Sequence, residues 1–142
     1  MKRTTITLAA AMLAAGAAFA DTAPSDVVFV DGAVALSLTG VAGDAVNGRK
    51  VFANRKKGNC LACHVNSDWS ELGFHGEVGP SLDGVGERWT EAELRGLVSN
   101  AKETFEDTIM PAFYRSDGYF RNLKKFEGAT IISAQEVEDI LK

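Results

Sequence analysis

Apolar positions change their rhythm several times along this chain. Residues 6–18 form a short, Ala-rich apolar run behind Lys2 and Arg3. Residues 27–30 and 33–38 are nearly continuous apolar stretches around Asp31-Gly32, a pattern that predicts two short strands joined by a D-G turn. Their alternation is poor, so this segment is either buried on both sides or covered by something else. Gly40 and Gly43 then punctuate the chain. From Asp44 the spacing turns helical. Asp44 suits an N-cap, Val46, Val51 and Phe52 are the larger apolar residues, and Gly58 is expected to close the helix beside Arg55, Lys56 and Lys57.

Residues 65–89 read as loop, interrupted by Gly73, Gly76, Gly79, Pro80, Gly84 and Gly86. A loop this long needs a reason, and wrapping a flat cofactor is one. Thr90-x-x-Glu93 is a capping box that opens a second helix, with Leu94, Leu97 and Val98 at helical spacing. Residues 101–130 are irregular and aromatic-rich, and Met110-Pro111 lies inside them. Ser133-x-x-Glu136 opens a last helix with Val137, Ile140 and Leu141 on one face. The expected fold is all-α, a small helical domain preceded by an extended or hairpin segment. No internal repeat is present.

The N-terminus has its own logic. A positive n-region, a short apolar run and Ala18-Phe19-Ala20 before Asp21 make residues 1–20 a secretory signal peptide cleaved after Ala20. The run is too short and Ala-rich for a good membrane span, so an N-terminal anchor is the weaker reading. The organisation is then 1–20 signal peptide, 21–43 extension and 44–142 domain. Removing residues 1–20 leaves 122 of the 142 residues. With Lys2 and Arg3 gone, the formal net charge moves from −4 to −6. An acidic exported domain argues against nucleic-acid binding but leaves room for a local basic docking patch.

Cleavage also leaves one methionine, two cysteines and two histidines. Cys60-Leu61-Ala62-Cys63-His64 is a C-x-x-C-H run, the attachment signature of c-type haem. Two thiols can bond the haem vinyl groups, His64 can bind iron from one face and Met110 from the other. Three rival readings fit less well. A redox dithiol wants a βαβ pattern around it, a zinc site wants further Cys or His at ligand spacing, and a disulfide leaves His64 without a role. His75 is the rival distal ligand. It lies only 11 residues past His64, a short tether for the opposite face. Met110 is favoured because Pro111 biases it to extended backbone and a thioether suits a raised reduction potential. A proximal histidine needs an acceptor for its second ring nitrogen, and the carbonyl of Pro80 in Gly79-Pro80-Ser81-Leu82 is the candidate.

These pieces, in this order, resemble class I c-type cytochromes: Gly48-x-x-x-Phe52, C-x-x-C-H, Gly79-Pro80-x-Leu82, Met110-Pro111 and an acidic last helix, over residues 44–142. A narrower resemblance is to SoxX, the monohaem subunit family of the bacterial sulfur-oxidation system. It rests chiefly on residues 108–114 (Thr-Ile-Met-Pro-Ala-Phe-Tyr) and 133–139 (Ser-Ala-Gln-Glu-Val-Glu-Asp). In class I cytochromes the last helix usually continues into an aromatic-Leu pair that packs on the glycine of the first helix. Here the chain stops at Lys142, so Gly48 is expected to lack its partner and the sequence to be truncated or unusual at its end.

The resemblance implies one covalent haem c held by Cys60 and Cys63, with His64 and Met110 as iron ligands and Pro80 as a further binding residue. It implies a periplasmic heterodimer with a SoxA-type cytochrome and a downstream electron-acceptor cytochrome. That complex couples thiosulfate oxidatively to a carrier-protein cysteine. This chain would be its electron-accepting subunit and not a catalyst alone. The alternative is a free-standing carrier to an oxidase or photosynthetic centre. A haem sensor is a third class, disfavoured by Met110. Residues 27–38 bear on the choice, since a permanent interface would bury them, but packing against their own domain accounts for them equally well.

Overall fold

The computed structural model describes residues 20–142. Apart from Ala20, the expected signal peptide lies outside them. Four helices carry the fold: α1 (Ala45–Ala53), α2 (Val85–Arg88), α3 (Glu91–Asn100) and α4 (Ala134–Ile140). Single 3₁₀ turns interrupt the long connections between them. No strand forms among the described residues, and no helix among them is long and apolar enough to cross a membrane.

Helices α1, α3 and α4 start where a side chain takes up orphaned N–H groups. Asp44 accepts from Val46 and Asn47 at the head of α1. Reciprocal capping boxes close at Thr90/Glu93 and Ser133/Glu136. Helix α1 stops at Ala53, well before Gly58. Beyond Ala53 come Asn54, Arg55, Lys56 and Lys57, which offer no apolar face to hold a longer helix against the core. The short α2 falls inside the stretch expected to be loop. It carries too few apolar residues to announce a period.

The extension forms a tight turn in place of two strands. Val30 and Ala33 make one antiparallel bridge around Asp31 and Gly32, whose φ angles are 50° and 80°. Two left-handed residues in succession give the twist a two-residue hairpin turn requires. The pairing goes no further because the flanking backbone bonds elsewhere. The N–H of Val34 donates to Ala92 of α3 at 2.9 Å, and that of Thr22 donates to Leu38 at 2.7 Å. Val34 and Leu38 are buried and Val27 and Phe29 pack against the core, while Val28, Val30 and Leu36 stay exposed. Self-packing therefore accounts for part of this segment, and an outer apolar stripe remains.

The core gathers Val34, Leu38, Val51, Phe113, Tyr114, Ile132, Ala134 and Val137. Helices α1 and α4 meet at Gly48, where a Cβ would lie 2.0 Å from the carbonyl oxygen of Asp139. The expectation that Gly48 lacks a partner is thus corrected. The contact is made by the α4 main chain at Asp139 and Ile140.

Helix α3 buries more than its apolar stripe. Its buried residues are Arg95, Gly96, Ser99 and Asn100, and Leu94, Leu97 and Val98 are only half-buried. A buried guanidinium is tolerated when it is paired and each of its nitrogens is hydrogen-bonded. Arg95 Nε donates to Glu138 at 2.8 Å and Nη1 to the Val34 carbonyl at 3.0 Å. Its Nη2 reaches Glu138 at 2.9 Å and Glu91 at 2.7 Å. Glu138 also accepts the Leu38 N–H at 2.8 Å. Burial alone would lower the Arg95 pKa, but Glu138 and Glu91 hold it above its ordinary value. One ion pair so ties the extension, α3 and α4 together.

Candidate haem site

The C-x-x-C-H run folds as a 3₁₀ turn, Cys60–Ala62, entered through Asn59 in the left-handed region at φ 49°. The amides of Cys63 and His64 both return to the Cys60 carbonyl, at 3.1 and 3.0 Å. Leu61 is buried and anchors the turn. Cys60, Cys63 and His64 thus share one closed loop of main chain. The Gly79 N–H donates to the Cys63 carbonyl at 2.7 Å, which brings the second loop across.

That second loop carries Pro80, whose carbonyl oxygen lies 2.7 Å from His64 Nδ1. A carbonyl can only accept, so Nδ1 carries the proton and Nε2 is left as the lone-pair nitrogen. Gly79 lies flat against the imidazole, since a Cβ there would fall 2.3 Å from His64 Cε1. The loop is held from behind. The Leu82 N–H donates to Val65 at 2.9 Å, and Asp83 accepts from the Ser67 N–H at 2.7 Å and hydroxyl at 2.6 Å. Arg88 of α2 donates to the carbonyls of Ser81, at 3.0 Å, and Asp83. The two bonds from Ser67 hold the Asp83 carboxyl below its usual range. Residue type and order alone assign no bracing role to Asp83 or Arg88. The Asp83-Gly84 pair was their one available signal, as a turn marker.

Burial pushes the Cys60 thiol up to about 12. A thiolate is disfavoured there, which is the opposite of what a redox dithiol needs, whereas an uncharged thioether sulfur is well suited. Met110 sits on a different part of the fold, in the loop after α3. It is half-buried, packs against the core cluster and has its N–H bonded to Thr108 Oγ1 at 3.2 Å. The chain then returns to α3, with Phe113 and Tyr114 donating to Val98 at 3.4 Å and Ser99 at 3.0 Å. His75 accepts from the Asn66 N–H through Nδ1 at 3.4 Å, and its Nε2 is buried without a partner.

The aromatics divide. Phe113 and Tyr114 are core, Trp69 packs edge-on to Phe52 at 4.6 Å, and Trp89 meets Phe105 at 6.3 Å. Phe74 and Phe120 are almost wholly exposed. Two cations that flank the attachment run are engaged within the chain. Arg49 lies 4.5 Å over the Trp69 ring and pairs with Glu71, and Lys57 pairs with Glu136.

A family model described as cytochrome c matches residues 45–142. The chain belongs to the cytochrome c family. Among solved structures this cytochrome is similar to a chain of the crystal structure of SoxXA from P. pantotrophus. The two are 45% identical over 86% of this chain and 94% of that one, with a TM-score of 0.82. Within the family its resemblance is therefore to SoxX. Comparison with curated proteins gives no match. The architecture is the all-α, class I cytochrome c-like one expected, and membership implies covalently bound haem c.

The residues of this cytochrome fit that group. The cysteine pair has the attachment spacing, the imidazole is braced at Nδ1, and Gly79 leaves bare backbone where a side chain would displace the ring. Helix α3 presents Leu94, Leu97 and Val98 as an apolar stripe that the protein core leaves half-covered, with Ile109 exposed on the neighbouring loop. Apolar surface without a protein partner is what a porphyrin needs for its faces.

Proposed function

We propose that this chain is the electron-accepting cytochrome subunit of a periplasmic SoxAX-type complex, which oxidatively couples thiosulfate to a carrier-protein cysteine. In this reading Cys60 and Cys63 form the two thioether bonds, His64 and Met110 are the iron ligands, and Pro80 orients His64. The braced His64 beside the attachment cysteines is the observation that carries it, together with the likeness to SoxXA at 45% identity.

When bound, haem c supplies reversible one-electron chemistry. The chain's own residues hold and shield it. Pro80 fixes the proton on His64 Nδ1, so that Nε2 would be the nitrogen free to hold the iron. Asp83 and Arg88 keep the Pro80 loop from drifting. Joining thiosulfate to a thiol makes one S–S bond and releases one proton and two electrons, so the reaction needs an acceptor. With Cys60 and Cys63 alkylated, no thiol remains on this chain for the sulfur step. Electron acceptance is the role open to it, and a SoxA-type partner supplies the thiol chemistry. Export through residues 1–20 carries the chain to the periplasm, where haem is attached and the complex works.

The test is to pull the mature protein from periplasm and to identify the proteins that co-purify with it by haem staining and mass spectrometry. A haem-bearing partner with a reactive cysteine, in fixed ratio, is expected. Recovery of the cytochrome alone at all salt concentrations would favour the free-standing carrier.

A further inference from the structure

The loop that carries Met110 is closed at its base. Ala101 is fully buried at the end of α3, and Phe113 and Tyr114 return to the Val98 and Ser99 carbonyls. Between these pins, residues 102–110 have little core of their own. Phe105, Ile109 and the intervening acidic residues are exposed. A loop with few buried contacts opens at low cost unless something inside it closes it. Lys102 does so. Its Nζ donates to the Met110 carbonyl at 2.9 Å and to the Thr108 carbonyl at 3.2 Å.

Lys102 is well placed to act as a fixed point. It lies on the 3₁₀ turn Ala101–Glu103, whose Asn100 cap accepts the Lys102 N–H at 3.4 Å and donates to Glu103 at 2.9 Å. On the other side, Pro111 has no N–H and cannot continue a hydrogen-bonded turn through Met110. The Met110 N–H is already committed to Thr108 Oγ1. The ammonium thus takes up two carbonyls of one short segment and fixes the plane of the Met110-Pro111 peptide.

We infer that Lys102 is a positioning residue for Met110: by chelating the Thr108 and Met110 carbonyls it holds the thioether-bearing segment closed. The inference rests on Met110 being an iron ligand. Lys102 acts through the loop and touches neither the iron nor a substrate. Its hydrogen bonds are charge-assisted, the stronger class, so their loss shows as opening of the loop.

The test uses the haem-loaded mature protein with Lys102→Leu and Lys102→Arg. Ferric samples are titrated with imidazole, which competes with the thioether, and the weak near-infrared methionine-to-iron band is recorded. Lys102→Leu should bind imidazole roughly tenfold more tightly than wild type, as expected for loss of a charge-assisted pair. Lys102→Arg, which keeps the charge and the donors, should stay near wild type. A merely structural role would lower the thermal midpoint in Lys102→Leu and leave imidazole affinity unchanged at 25 °C, which would overturn the inference. If Lys102→Leu is not recovered folded, Lys102→Arg and Lys102→Gln decide, with Lys102→Gln expected to bind imidazole more tightly than Lys102→Arg. Equal affinity for the two would overturn it as well. A wild-type protein without the near-infrared band removes Met110 as ligand, and this inference falls with that reading. A wild type with the band and an unchanged Lys102→Leu removes the inference alone.

Discussion

Gly48 and Asp139 touch through main chain. A Cβ on Gly48 would sit 2.0 Å from the Asp139 carbonyl oxygen and 2.5 Å from its carbonyl carbon. The same residue's carboxylate accepts from the Asp44 N–H at 2.8 Å, Asn47 Nδ2 at 2.6 Å and Gln135 Nε2 at 2.9 Å. Backbone approach and side-chain bonds therefore lock α1 to α4 at one point. Because the obstacle is backbone, it cannot rotate away. Gly48→Ala should lower stability by about 1–3 kcal/mol, the usual cost of overpacking. A denaturant midpoint equal to wild type, on haem-loaded protein, would contradict this contact.

Asp139 also sets an acid limit. Burial alone would raise its pKa, but bonds from Asn47, the Asp44 N–H and Gln135 hold it below the usual carboxylate range. A carboxyl lowered on folding contributes stability that is complete above its unfolded value, about 3.9, and is lost as pH falls through its folded value. The denaturant midpoint should therefore drop steeply below about pH 4. Asp139→Asn should flatten that limb while lowering the midpoint at pH 7. A limb as steep in the variant as in wild type would assign the linkage to other carboxylates.

Glu138 holds a buried charge and a distant amide together. Glu138→Ala leaves Arg95 charged, buried and short of two hydrogen bonds, and frees the Leu38 N–H as well. Breaking such a pair costs about 3–5 kcal/mol. Removing the charge too, in Glu138→Ala with Arg95→Met, should recover part of that loss. Equal or greater instability of the double variant, by denaturant titration, would mean the pair itself is the dominant stabilising contact.

Gly79→Ala probes His64 without changing a ligand. The new methyl would meet the imidazole at 2.3 Å from Cε1, so ring or loop must move and the bond to Pro80 is strained. Cys60 and Cys63 are untouched, so haem should remain attached. Loss of the orienting bond should weaken His64 ligation by about 10–100-fold, the range for such supporting partners. Optical or spin-resonance spectra should show a high-spin fraction absent from wild type. A purely low-spin spectrum would show that His64 does not depend on this brace.

Local chemistry is readable from the chain alone. Asp44, Thr90/Glu93 and Ser133/Glu136 announce three helix starts because a cap is a contact between neighbours in sequence. C-x-x-C-H, Gly79-Pro80 and Met110-Pro111 mark the candidate site by residue type and order alone. What the chain could not declare were the contacts that depend on distant segments meeting. Periodicity marks Leu94, Leu97 and Val98 as the apolar face of α3 but says nothing of Arg95, which is buried because Glu138, 43 residues away, is there to receive it. The apolar run 27–38 reads as strands, yet its amides found α3 and α4 as partners, so pairing stopped at one bridge. Gly48 found its partner in the backbone of Asp139, which no side-chain pattern encodes. Capping and turn chemistry belong to the sequence because they are satisfied within a few residues. Burial of charge and close approach of main chains are decided by tertiary structure, because each requires two remote groups to be brought within bonding distance at once.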